Sequence, residues 1–213
     1  MKKLKVPFIA SLDTMDLPSV LNFMEQKAQR ESIDCINWDT YPYKPIIAVD
    51  VARSESSLYI RYFVKGLSLK ALYKEDGSPV YTDSCVEFFM KKEEDSNYYN
   101  FEFNCIGTCD AAYRQSRDVK ESLTPEQYAS IRRYSTVGDQ TFAEKTGIHS
   151  WELLVAIPFN VMGLDAKNLP EKIRGNFYKC ADDTEMPHFV SWSPIHLPTP
   201  NFHCPDFFGE IYF

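Results

Sequence analysis

Glycine is scarce in this chain, with 8 in 213 residues, and tryptophan (3) and histidine (4) are scarcer still. No G-x-S-x-G, H-E-x-x-H, Walker or G-x-G-x-x-G pattern occurs, so nucleophilic, metalloprotease and nucleotide-dependent chemistries find no support. Basic stripes are missing as well. The formal net charge is −7 and Arg132-Arg133 is the one adjacent arginine pair, which makes nucleic acid and anionic membrane surfaces poor partners. No segment approaches the ~20 apolar residues of a membrane span. The basic start M-K-K-L-K-V-P-F-I-A-S-L-D is interrupted by Lys5 and Pro7 and ends at Asp13, too short for an export signal. A cytoplasmic location is the default expectation.

Cysteine is not lacking, but its arrangement is. Six cysteines, at 35, 85, 105, 109, 180 and 204, show no small-scaffold spacing, so buried thiols are expected rather than a disulfide framework. Cys105-x-x-x-Cys109 has no second pair nearby to complete a zinc site. The four histidines (149, 188, 196 and 203) fall late in the chain at spacings that match no ligand set.

What is abundant is aromatic. Thirteen Tyr and 15 Phe, with 13 Pro spread along the chain, favour strands and loops over a helical bundle. The length suits one domain, residues 1–213, with 1–33 as an N-terminal extension of a short strand (6–9) and a helix packed upon it. That helix is capped by Asp16 and runs to about Arg30 with Leu17, Val20, Leu21 and Met24 as its apolar stripe. Thr124-Pro125-Glu126-Gln127 forms a capping box for a second helix within 118–133. Alternation places strands at 46–52, 58–64, 134–137, 149–157, 172–180 and 207–213, with extended runs at 34–38 and 189–192. The expected fold is all-β: an antiparallel β-sandwich of jelly-roll or immunoglobulin-like kind, about nine strands, with two small peripheral helices.

The most informative stretch runs from Val80 to Asp110. V-Y-T-D-S-C-V-E-F-F-M and Y-Y-N-F-E-F-N-C-I-G-T-C-D alternate as two strands, joined by the polar turn 91–97 into a hairpin. Val86, Phe88 and Met90 share a face with Tyr99, Phe101 and Phe103 across the pair. The other face carries Glu87, Asn100, Glu102 and Asn104, with Tyr81 and Asp83 leading in. Hydroxyl-binding groups beside an aromatic platform suit a sugar. Glu87 and Glu102 are expected as cross-strand neighbours, and Asp83 lies close in sequence. A glycoside hydrolase using Glu87 and Asp83 is therefore an alternative, although nothing in the sequence marks either as an acid of raised pKa. Trp151 alternates with aliphatics and reads as core. Trp192, at the head of a Pro-rich loop, and Trp38 have divided readings, core or exposed stacking ring. Arg61 stands on an otherwise aromatic strand face, as either an edge charge or an ion-pair or ligand arginine.

Taken in order, S-L-Y-I-R-Y-F-V (57–64), Y-T-D-S-C-V-E-F-F (81–89), Y-Y-N-F-E-F-N-C-I-G-T (98–108), W-E-L-L-V-A-I-P-F (151–159), N-F-Y-K-C (176–180) and S-W-S-P…P-D-F-F-G-E-I-Y-F (191–213) resemble a family 9 carbohydrate-binding module of the DOMON-like sandwich group. The resemblance spans from about residue 34 to the end. It implies a β-sandwich that binds a mono- or oligosaccharide without catalysis. In the best-known members the sugar lies between two tryptophans, and some members carry structural calcium. By motif position Tyr81 stands where those members have tryptophan, and Trp192 corresponds to the late stacking tryptophan. Asp83, Glu87, Arg61, Asn104, Asn176 and Lys179 are the accompanying polar candidates. Some DOMON-like domains bind haem, for which Met90 with a late-chain histidine would be needed. Oligomeric state is not legible.

Overall fold

The computed structural model describes all 213 residues, which build two largely antiparallel sheets packed face to face. In chain order the elements are β1 (Lys3–Lys5), α1 (Leu17–Lys27), β2 (Gln29–Ser32), β3 (Cys35–Ile36), β4 (Ile46–Arg53) and β5 (Ser57–Ala71). The central group follows: β6 (Cys85–Lys91), β7 (Tyr98–Asn104), β8 (Cys109–Arg114), β9 (Lys120–Ser122), α2 (Pro125–Ser130) and β10 (Arg132–Ser135). Last come β11 (Phe142–Pro158), β12 (Lys172–Cys180), β13 (Phe189–Ser191) and β14 (Gly209–Tyr212). The larger sheet has the order β1-β14-β12-β6-β7-β8-β9, with β13 pairing β12 and β3 pairing β13; the smaller is β10-β11-β5-β4-β2. This is the expected β-sandwich with two helices, built from fourteen strands rather than nine. The additions include the short strand β2, the interior strand β8, and β9, which takes residues expected to be helical; β10 is the strand expected at 134–137, shifted two residues back into the expected helix. Of 118–133, only Pro125–Ser130 is helix, held by the expected Thr124–Gln127 box.

The main core lies between the sheets, where Val86, Phe88, Met90, Phe101 and Phe103 meet Ile60, Tyr62, Val64, Leu153 and Val155. The alternation expected for the hairpin is the one observed: Cys85 pairs with Asn104, Glu87 with Glu102 and Phe89 with Asn100. Met90, the residue on which a haem ligand set depended, is fully buried in this core. β5 and β11 run well past their expected ends, pairing from Ser57–Pro158 out to Ala71–Phe142. Residues 65–68 of β5 and most of 142–150 of β11 project from the core and lose the apolar alternation that made the inner halves visible, while Leu69 and Ala71 return to the core.

Two smaller cores cover the outer sheet faces. On the small sheet, α1 lays Val20, Leu21 and Met24 on Ala52, Tyr59, Leu154 and Ala156. Asp16 caps it by accepting the Ser19 N–H at 2.9 Å. The opening strand is Lys3–Lys5 rather than 6–9; it adds in parallel to β14, and β2 edges the small sheet. On the large sheet, the loop from Ser193 to Phe208 folds back over the outer face. Ile195, Phe202, Cys204 and Phe208 pack there on Phe89, Tyr98 and Tyr178. That loop leaves part of the face uncovered, and the gap is the principal cavity.

Candidate functional site

A pocket of about 390 Å³ opens on the outer face of the large sheet, within the span typical of small-molecule sites. Its floor is a single cross-strand row. Glu87 on β6 faces Glu102 on β7, and Glu102 faces Asp110 on β8. The tight turn between β7 and β8 sets this row. Gly107 adopts φ 88°, open to glycine and strained for other residues, while the Asn104 N–H donates to Thr108 O at 3.0 Å. Asp110 and Arg114 therefore alternate onto the same face as Glu102. Around the row stand Arg114, Arg117, Lys120 and Asp182, with Tyr81, Phe189, Phe202 and His203 as aromatic wall.

The polar groups are linked. Arg114 Nε donates to Asn100 Oδ1 at 2.6 Å, and Asn100 Nδ2 donates to Glu102 Oε1 at 3.0 Å. Lys120 Nζ donates to Asp110 Oδ2 at 3.4 Å, whereas the buried Asp110 Oδ1 has no partner in the protein. Glu87 accepts only thiol donors, from Cys180 at 3.1 Å and more distantly from Cys85. Burial, followed by the neighbouring Glu102, pushes the Glu87 carboxyl well above its ordinary range. Burial and then Asp110 raise Glu102 to about 7, and burial raises Asp182 to about 6. Raised acids, which the sequence did not mark, are thus present: taking carboxylates out of water three strands abreast favours the neutral forms.

The structure gathers few of the residues expected at the site. Tyr81 is there, 42% exposed on the rim, and Glu87 is on the floor. Trp192 is not. Its ring is fully buried in the inter-sheet core, edge-on to Phe177, with its Nε1 donating to Glu31 at 3.2 Å. The Pro-rich loop starts on the core side of β13, so the indole is wedged inward. Trp38 is also buried, donating to Leu197 O at 2.8 Å, and Trp151 is core as expected. A two-tryptophan clamp is therefore excluded by placement.

Arg61 lies on the other sheet, beneath α1. Its Nη1 meets Asp50 at 2.5 Å and its Nε meets Glu152 at 2.8 Å, an ion-pair arginine remote from the pocket. Asp83 and Asn104 form a joint: Asp83 Oδ2 accepts from Leu72 N, Tyr73 N and Asn104 Nδ2, tying the end of β5 to the entry of β6. Asn176 is enclosed, its amide exchanging hydrogen bonds with the Ser193 backbone at 3.0 and 2.8 Å. Lys179 points to the inter-sheet side, donating to Cys180 O at 2.6 Å and contacting His188 Nε2 at 2.9 Å. Asp83, Asn104, Asn176 and Lys179 brace the large sheet around the site, Arg61 braces the other sheet, and none of the five lines the pocket.

As pocket residues Asp110, Arg114, Lys120, Phe189 at the start of β13 and the loop residues Phe202 and His203 escaped the sequence reading. The alternation in C-D-A-A-Y-R was available to find the first two; the loop residues reach the pocket only by tertiary folding. The group of three metal-donor side chains here, Cys85, Glu87 and Cys180, carries two sulfurs and does not suit calcium, which takes oxygen donors.

Comparisons with known proteins place this geometry in context. The model of carbohydrate-binding family 9 matches residues 16–213. A candidate carbohydrate-binding protein from Bacteroides uniformis ATCC 8492 has the same fold with a TM-score of 0.91 at 34% identity, over 100% of this chain and 99% of that one. A family 9 carbohydrate-binding module from Caldicellulosiruptor kristjanssonii, solved with glucose, shares the fold at TM-score 0.61 and 12% identity, over 99% of this chain and 95% of that one. The structure of a family 9 module from the same organism with cellotriose gives 0.58 and 11%, over 99% and 93%. No curated protein matches. With the family model covering all but the first fifteen residues and a full-length structural relative at 34% identity, the chain belongs to carbohydrate-binding family 9.

Proposed function

We propose that the chain binds a mono- or oligosaccharide in the pocket over β6, β7 and β8, and that it does so without catalysis. The observation that carries this is the row Glu87–Glu102–Asp110 set against an aromatic wall. Sugar hydroxyls are both donors and acceptors. The unpaired Asp110 Oδ1 accepts, Arg114 and Lys120 donate, and the raised Glu102 does either at neutral pH. Tyr81 and Phe189 offer ring faces for the C–H side of a pyranose in place of tryptophan. Solved family 9 modules hold glucose and cellotriose, which makes glucose and β-glucan fragments the first ligands to try.

Calorimetry with glucose, cellotriose and a wider oligosaccharide panel tests this. Binding of one sugar class, weakened roughly tenfold by Tyr81→Ala and by Asp110→Asn in folded protein, is the expected result. Unchanged affinity in both variants removes the site from this pocket. The adjacent acids of raised pKa also favour a second reading, hydrolysis, because a neutral carboxyl beside a charged one is the acid/base arrangement of glycosidases. Turnover of a chromogenic glycoside, abolished by Glu87→Gln, decides for it; no turnover decides against.

A further inference from the structure

We propose that Cys85, Cys180 and Glu87 form a binding site for one thiophilic divalent cation, zinc being the natural occupant, at the edge of the pocket. Cys85 and Cys180 face each other directly on β6 and β12, and Glu87 follows Cys85 on the same strand face. The three donor atoms lie within 4.8 Å of one another. Glu87 Oε1 is 3.1 Å from Cys180 Sγ and 3.9 Å from Cys85 Sγ. A tetrahedral zinc with Zn–S of about 2.3 Å and Zn–O of about 2.0–2.2 Å sets its S···O edges near ~3.5 Å and its S···S edge near ~3.8 Å. The two observed S···O separations straddle their value, so closing these edges on the ion needs shifts of a few tenths of an ångström, and the two sulfurs lie within 4.8 Å of each other.

Two further features point to a cation. All three groups are buried, and no lysine, arginine or histidine donates to any of them; Lys179, the nearest amine in sequence, is committed to Cys180 O and His188. Beyond one another these three acidic groups meet only backbone carbonyls, Cys180 Sγ with Tyr81 O at 3.6 Å and Cys85 Sγ with Val86 O at 3.7 Å, and a buried set without a cationic partner gains most from a shared positive ion. The set also opens one way: Cys180 and Glu87 line the pocket, giving an entry path and leaving the fourth position to water or to a ligand oxygen. Metal binding at such a site displaces the thiol protons into solvent. The site shares Glu87 with the sugar pocket, but Tyr81 and Asp110, on which the sugar test rests, contribute no donor to it.

The test uses the full chain, reduced and stripped with chelator, titrated with cadmium as an optical probe and with zinc in competition. Expected are one ion per chain, a thiolate-to-cadmium charge-transfer band, and roughly tenfold or greater weakening in Cys85→Ser and Cys180→Ser but not in Cys105→Ser. Should the serine variants fail to fold, zinc protection of these two wild-type thiols from alkylation reads the same contact. Sub-stoichiometric binding, binding unaltered in both variants, or capture of the two sulfurs as a disulfide with no metal bound would overturn the site. Sugar calorimetry on the metal-free protein separates this outcome from failure of the carbohydrate reading.

Discussion

The indole of Trp192 lies so close to the backbone of Gly209 that a methyl group there would overlap the ring. Tyr81, on the short turn Val80–Thr82 that leads into β6, keeps its ring partly in solvent instead. Their energetic roles separate accordingly. Trp192→Ala is expected to cost ~3–5 kcal/mol by opening a cavity between the sheets, while leaving the sugar affinity of the folded fraction unchanged. Tyr81→Ala is expected to leave the urea midpoint in place and weaken the sugar. Denaturant melts paired with calorimetry on both variants check this; the opposite pattern would return Trp192 to the site. The residue types were legible in the sequence, their sidedness was not. An aromatic at the head of a loop can point to either layer, and only the packing of Phe177 and Gly209 chooses.

Among elements, β5 shows how a charged residue becomes structural. Arg61 on this strand pairs across to Asp50 on β4 and Glu152 on β11, and Arg30 on β2 donates to the same Asp50 at 2.7 and 2.9 Å. Four strands of the small sheet are thereby tied at one level. Arg61→Ala leaves Asp50 and Glu152 facing each other under α1, and is expected to destabilise by ~3–5 kcal/mol in urea unfolding with sugar affinity unaltered. A loss of affinity without loss of stability would contradict the ion-pair role. The alternation of L-Y-I-R-Y-F-V placed Arg61 on the correct face. Whether that face met solvent, ligand or helix depended on α1 covering it, a contact between distant stretches of the chain such as Glu25 and Arg61, silent in local pattern. The hairpin β6–β7 was fully legible because period-two alternation and a polar turn are local properties; the projecting stretches of β5 and β11 were not, since exposure on both faces erases the alternation.

For the whole molecule, the return of loop 193–208 over the large sheet decides both the pocket and its response to acid. His203 is fastened by Nδ1 to the Tyr98 hydroxyl at 2.9 Å. Burial, then Arg114, Arg117 and Lys120, holds its pKa down at about 3, against 6.5 for an ordinary histidine. A histidine that stays neutral when folded but protonates when unfolded stabilises the fold above pH ~6.5, and this contribution is lost as pH falls toward 3. Stability in urea is therefore expected to decline across that window by up to a few kcal/mol, with a shallower decline in His203→Gln. Equal slopes for the two proteins would show that the histidine is not held neutral by the fold.

By itself the sequence determined the sandwich class, the central hairpin with its register and facing, both helix caps, and the free state of the six cysteines. Each follows from periodicity or from contacts within a few residues, where backbone geometry leaves little choice. Only the tertiary structure decided which polar residues line the pocket. Arg61, Asp83, Asn104, Asn176 and Lys179 carry the right chemistry yet are consumed by the frame, while Asp110, Arg114 and Phe189 reach the pocket through strand order and loop return. Likewise Cys85 and Cys180, ninety-five positions apart in the chain, become neighbours only because β12 lies beside β6. Hydrogen-bonding capacity is a property of residues; where it is left unspent is a property of the fold.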